Sequence, residues 1–299
     1  MRKDTAKGMA DESCRRRPTG PLRIARDAAA RLAEIENVVA VALGGSQARG
    51  AAHSNSDVDL GIYYRASNPP PVERLRSLAR KLHSGDSPAQ VTNLGDWGPW
   101  VNGGAWLEIQ GHKVDWLYRD IDHVLRVIDD CSRGVVTCDY YLGHPHGFHN
   151  HIYLAEIHYC HPLRDRLAVL ERLKERLNVY PAAMKTALVT KFLYDARFML
   201  DLARPSSARC DVFHVSGCLF RSAAAMVQVL FALNNAYFIN EKGALSAIES
   251  FPIKPDAFPT RVRDILANPG KDFDSLHAGV AAMNALIAET RSLAKATIS

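Results

Sequence analysis

The sequence predicts an α+β chain, a small mixed β-sheet with helices followed by an all-α C-terminal domain. Three observations carry that prediction. Between residues 38 and 118, short β-branched or aromatic runs alternate with turn residues and one amphipathic stretch. Beyond Asp120 the pattern changes to long apolar-periodic stretches. A chain of 299 residues with 47% hydrophobic content also has enough apolar material for one large core or two moderate ones.

The elements follow in order. Residues 1–20 hold six basic and three acidic residues among Gly and Pro, and read as a poorly ordered basic tail. Leu22, Ile24, Ala25, Ala28, Ala29, Leu32 and Ile35 have the spacing of an amphipathic helix over 21–36. Val38 to Leu43 is a buried strand entering a turn at Gly44-Gly45. A second strand is expected over 57–64, a helix over 72–83 and a strand over 88–94. Residues 106–110 and 113–118 read as a hairpin joined by Gly111-His112. Long helices are expected over 163–177, 182–202, 212–235 and 275–294. The domain boundary falls between Ile121 and Gly134, dividing the chain into a first domain over 21–130 and a helical domain over 131–299.

Composition excludes some functions. The basic tail supplies +3 of the formal net charge of +5, so the body is nearly neutral. A duplex nucleic-acid binder needs a broad basic face, which this body lacks. The six cysteines form no CxxC pair and read as reduced thiols. No apolar run is read as long enough to cross a bilayer, and no apolar segment follows the N-terminal charges. No membrane partner is therefore expected, and the expected compartment is the cytoplasm.

Three features carry chemistry. Gly44-Gly45-Ser46, followed by Gln47-Ala48-Arg49-Gly50, allows a sharp turn and close approach to a ligand. Ser46 would open a helix whose free N–H groups face a phosphate; alone, such a turn is more often only structural. Ser56-Asp57-Val58-Asp59-Leu60 places two carboxylates on one face of a strand, with Val58 and Leu60 facing the core. Paired acids on a strand repel unless a divalent cation neutralises them, though a solvated face is the commoner case. Asp115 interrupts the apolar run Val114-Asp115-Trp116-Leu117; in isolation it would as readily satisfy backbone donors. Together they supply an anion cradle and several carboxylates, the parts phosphoryl transfer needs.

This order of Gly44-Gly45-Ser46, Asp57-Val58-Asp59 and Asp115 resembles the DNA polymerase beta-type nucleotidyltransferase superfamily. With a helical C-terminal domain, the chain looks most like the stand-alone bacterial branch that includes aminoglycoside and lincosamide nucleotidyltransferases. The resemblance covers roughly the first 120 residues, the scale of one small domain, and implies a nucleotidyltransferase fold there. It implies that Asp57 and Asp59 coordinate two Mg²⁺ ions and that Asp115 binds the catalytic one near the acceptor oxygen. Gly45 and Ser46 would hold the β- and γ-phosphates, with Gly44 and Ser56 in the same nucleotide-binding set. Arg49 is placed to reach a phosphate or to lie on a solvated face. The implied reaction moves a nucleoside monophosphate, AMP foremost, from a nucleoside triphosphate to a hydroxyl of a small-molecule acceptor, releasing pyrophosphate. A protein acceptor and a non-catalytic nucleotide sensor are the alternatives.

Weaker signals surround this set. Glu108, on the strand paired with that of Asp115, is the candidate general base, against a plain surface acid. Lys242, in the polar stretch after a long helix, would contact the triphosphate as a point charge or lie on the surface. The segment from His144 to His161 is His-rich but lacks the frame of a zinc site. It reads as a junction loop beside the cleft.

Overall fold

The structure is a computed structural model that describes residues 20–50, 53 and 56–298. Most of the expected basic tail, residues 1–19, lies outside the described residues; Gly20 opens the first helix. The elements are α1 (Gly20–Leu32), β1 (Val38–Leu43), α2 (Gly45–Ala48), β2 (Val58–Tyr64), α3 (Val72–Leu82), β3 (Gln90–Val91), β4 (Gly104–Ile109), β5 (His112–Asp120), α4 (Ile121–Ser132) and β6 (Cys138–Asp139). They continue with β7 (Phe148–His149), α5 (Ile152–Tyr159), β8 (His161–Arg164), α6 (Val169–Arg176), α7 (Ala182–Ala208), α8 (Val212–Leu233), α9 (Ala244–Glu249), α10 (Phe258–Ala267) and α11 (Phe273–Ile298).

Six strands form one mixed sheet in the order β3-β4-β5-β2-β1-β8, and β6 pairs with β7 separately. Within the six, β2 and β5 are parallel and the other neighbours antiparallel. The sheet is covered on both faces, because alternate residues point to opposite sides. Val41, Leu43, Val58, Leu60, Ile62, Val114 and Trp116 share a core with α1 and α3 through Ile24, Ala28, Leu32, Leu75 and Ala79. On the opposite face Ala40, Ala42 and Tyr63 join the helical core.

Several expectations shift for identifiable reasons. The hairpin turn is Gln110-Gly111, one residue earlier than expected, and both residues have positive φ, 52° and 76°. A two-residue hairpin of this hand needs positive φ at both central positions, and β5 then begins at His112. β3 pairs only over Gln90 and Val91; beyond it the Thr92 hydroxyl accepts from the Gly104 N–H at 2.8 Å. The helix expected over 163–177 begins as strand β8, which pairs with β1. Pro162 disfavours helix at the residue before it, and the Asp165 carboxylate accepts from the N–H groups of Val169 and Leu170 at 2.8 and 2.7 Å, starting α6 there. The sheet therefore receives a strand from beyond α4, the element that occupies the stretch where the sequence places a boundary. Helix α5 is nearly uniformly buried and shows no helical alternation, so periodicity does not reveal it.

α8 corrects a further expectation. It is long and apolar enough to cross a membrane, yet 78% of that span is buried inside the fold, where it packs with α7 and α11. A core helix shielded on all sides needs no polar face. The five described cysteines are free.

Leu60, fully buried between β2 and the α1/α3 layer, tests this core. Leu60→Ala is expected to cost about 3 kcal/mol. Urea unfolding should show the lower midpoint with an unchanged slope.

Candidate active site

The site begins at the end of β1. The Gly44 N–H donates to the carbonyl of Asp59 at 2.8 Å, tying the turn to β2. Gly45 has φ +61°, and a Cβ there would stand 2.6 Å from Cγ of Asp59. Glycine is required on both counts, because the conformation disfavours side chains and the carboxylate fills the space. α2 is a single turn whose first residue is Gly45, so Ser46 is its second residue rather than its opening one.

Asp59 is in parallel register with Asp115 on the neighbouring strand. Asp57 lies just before β2 instead of on it, but shares the same cleft wall. Burial raises the Asp59 carboxyl from the ordinary 3.8 to about 6, and the charges of Asp115, Asp57 and Glu156 add to the rise, while Lys242 opposes it. Asp115 is likewise raised to about 6, by burial first and then by Asp57, with Lys113 opposing. Three like charges in one wall repel, and among the described residues no group of three or more His, Cys, Asp or Glu side chains forms a ready-made metal-ion site.

The cleft measures about 1100 Å³ and is walled by both halves of the chain. Gly44, Gly45, Ser46, Arg49, Ser56 and the three aspartates line it from the sheet side. Lys242 lines it from the loop after α8, and its charge acts on Asp59. Glu108 is different. It sits on the cleft-side face of β4, but its register partner is Lys113, and it is not part of the cleft wall.

Pairing across the sequence supplies residues that local motifs miss. Arg119 is 3% exposed and donates to both carboxylate oxygens of Glu156, at 2.8 and 2.7 Å, joining β5 to α5. Both residues line the cleft. Extending the alternation of β5 from Asp115 through Leu117 would have found Arg119; Glu156 has no such local signal. His144 also lines the cleft, with Glu241 4.0 Å from its Nδ1. His146, His149 and His151 turn inward, whereas His158 is partly buried and His161 exposed. Burial lowers His146 to about 4, His149 to about 2 and His151 to about 3, so these rings stay neutral at physiological pH. Tyr237 is a core residue whose hydroxyl donates to the Leu177 carbonyl at 3.1 Å.

Residues 23–131 match the nucleotidyltransferase domain family model. The six-stranded mixed sheet with its helices is therefore nucleotidyltransferase-like, and a helical region, α7 to α11, follows it, as the sequence predicts. The match supports nucleotidyl transfer as the general activity of this domain. The crystal structure at 1.90 Å of a nucleotidyltransferase-like protein from Exiguobacterium sibiricum 255-15 is similar over 90% of this chain and 75% of its own, with 10% identity and a TM-score of 0.43. No curated protein matches the chain in sequence.

Two outcomes follow from the turn and the acids. Gly45→Ala should lower the melting temperature, measured by differential scanning calorimetry, because Asp59 must move. The raised acids also set a pH dependence. Their protonated forms are favoured in the folded chain, so this contribution to stability is complete below about pH 3.8 and is lost as pH rises through about 6. Asp59→Asn and Asp115→Asn should each raise the melting temperature at pH 7.5 in metal-free buffer. The gain should vanish near pH 4.

Proposed function

We propose that the chain is a metal-dependent nucleotidyltransferase that moves AMP from ATP to a hydroxyl of a small-molecule acceptor. The observation that supports this most strongly is the parallel register of Asp59 with Asp115 beside a glycine turn that Asp59 itself fills. A turn of this shape lets a polyphosphate approach the backbone, and Lys242 faces it from the other wall as a compact positive charge. Ser46, Ser56 and Arg49 contribute further donors on the same side of the cleft.

The donor chemistry fits magnesium. Three carboxylates supply hard oxygen ligands, and their mutual repulsion is what a divalent cation relieves. Asp57, Asp59 and Asp115 would hold two Mg²⁺ ions, which when bound neutralise the triphosphate and ease ionisation of the acceptor hydroxyl. The acceptor oxygen attacks the α-phosphorus, the bond between that phosphorus and the bridging oxygen breaks, and pyrophosphate leaves. Glu156 takes the role first given to Glu108. Among the described residues of the cleft wall it is the one carboxylate besides the three aspartates. Arg119 fixes its orientation, and each of its oxygens keeps a lone pair for the acceptor proton. A cleft with walls from both halves of the chain suits a small molecule better than a protein side chain.

Pyrophosphate release from ATP and Mg²⁺, with a small-molecule extract and a protein lysate supplied separately, tests the proposal. The extract should support turnover and the lysate should not; nucleotide binding without turnover in either would overturn it in favour of a sensor. Asp115→Ala should abolish turnover while leaving the fold intact. Glu156→Gln should slow it about a hundredfold, whereas Glu108→Gln should stay within about twofold.

A further inference from the structure

The row of side chains that carries the two strand aspartates extends beyond them. Asp59 is paired with Asp115, Asp115 with Trp106, and Trp106 with Gln90. Directly paired residues project from the same face of a sheet. A single line therefore crosses β2, β5, β4 and β3, with the Gly44-Gly45 turn bonded to Asp59 at one end, the Trp106 indole third in the row and Gln90 at the far edge.

Trp106 is 50% exposed although its strand neighbours Ala105 and Leu107 are buried. Its partner ring is Trp97, with centroids 4.7 Å apart and planes tilted by 31°. Trp97 is held in place by the fold. The Tyr141 hydroxyl donates to its carbonyl, and it lies over Gly104, where a Cβ would come within 2.9 Å of Cζ3 of its ring. Gly104 is the register partner of Leu117, which lines the cleft. Neither indole is part of the cleft wall itself; Trp106 shares the sheet face of Asp115 one strand further from the glycine turn, with Trp97 stacked beside it.

We propose that the Trp106–Trp97 pair is the acceptor platform, binding the flat face of a ring that carries the reacting hydroxyl. This rests on the nucleotidyl transfer proposed above. An in-line displacement brings the attacking oxygen from the side opposite the departing pyrophosphate. With the phosphates at the Gly44-Gly45 end, the attacking side of the row is the Trp106 end. Neighbouring strands stand about 4.8 Å apart, so a ring resting on Trp106 holds a substituent hydroxyl over Asp115. An indole offers a broad apolar face and a single N–H donor. It rewards the C–H face of a sugar or the π-face of an aromatic ring, and gives little to a flexible acyclic polyol.

Tryptophan emission of the full chain tests the platform without requiring turnover. Trp100 and Trp116 are buried, whereas Trp106 is half exposed and Trp97 partly buried, so a ring settling on the pair changes the emission of those two. The probes are methyl β-D-glucopyranoside for a sugar ring, benzyl alcohol for an aromatic ring, and sorbitol for an acyclic polyol. One of the two ring probes should give a saturable change that sorbitol does not. Trp106→Ala should weaken that response about tenfold or more, and Trp106→Phe should restore most of the affinity. No saturable response to either ring, or an unchanged titration in Trp106→Ala, overturns the platform. The two proposals fail differently. If nucleotidyl transfer is wrong, ring binding persists in wild type and in Asp115→Ala while ATP and Mg²⁺ yield no pyrophosphate with any acceptor. If only the platform is wrong, turnover survives and Trp106→Ala leaves the KM for the acceptor unchanged.

Discussion

The carboxylate of Asp59 occupies the space that any side chain at position 45 would need, and the backbone of Gly44 is bonded to the carbonyl of the same aspartate. The rest of the site depends on this contact. It makes the end of β1 and the start of β2 one rigid unit, so the turn and the first strand carboxylate cannot move independently. Parallel pairing then places Asp115 alongside, and the positions of three acids and a turn follow from three adjacent strands, β1, β2 and β5. Holding like charges together in a partly buried wall costs stability. The apolar face behind it, with Val58, Leu60, Val114 and Trp116 fully buried, holds the strands in place against that repulsion.

The second wall comes from parts of the chain far from the first. The buried Arg119 and the partly exposed Glu156 form a bidentate ion pair between β5 and α5, with the guanidinium over the Tyr153 ring at 5.6 Å. Removing Glu156 would leave the buried guanidinium without a partner, a penalty of about 3–5 kcal/mol. The pair therefore fixes how α5 sits over the sheet, and with it the depth of the cleft. The loop after α8 reaches in from the opposite side. Glu241 accepts from the backbone N–H of His146 at 2.9 Å, and the next residue, Lys242, faces the aspartates. The His-rich segment is thus scaffold for the most part: its inner rings are neutral packing groups, and His144 alone of the four between 144 and 151 lines the cleft.

Much of the sheet was legible because strand alternation is a local property. Val38 to Leu43 appears as a strand with the limits read from its residues, and the spacing of Asp57, Asp59 and Asp115 places all three on the cleft wall. Glu108, expected beside Asp115, lies outside the cleft wall because its neighbour depends on register. Gln110 rather than His112 takes the turn, and the pairing that results sets Lys113 opposite Glu108 and Trp106 opposite Asp115. Strand β8 was read as helix because Leu163, Leu170, Leu173 and Leu177 satisfy a helical pattern that Pro162 and the Asp165 cap cut short. α8 is the helix expected over 212–235; the sequence reading underrates its apolar length, which would suffice for a membrane but is here enclosed by neighbouring helices.

By itself the sequence determined the α+β class, the glycine turn, the three acids and the succession of long helices, since each is encoded within a few turns or one strand of contiguous chain. Only the tertiary structure decided which residues face one another. The Arg119–Glu156 pair, the approach of Lys242 to Asp59 and the line from Gly44 to Trp106 join residues whose partners are set by packing and register. Those quantities depend on the whole chain folding at once, and no local pattern records them.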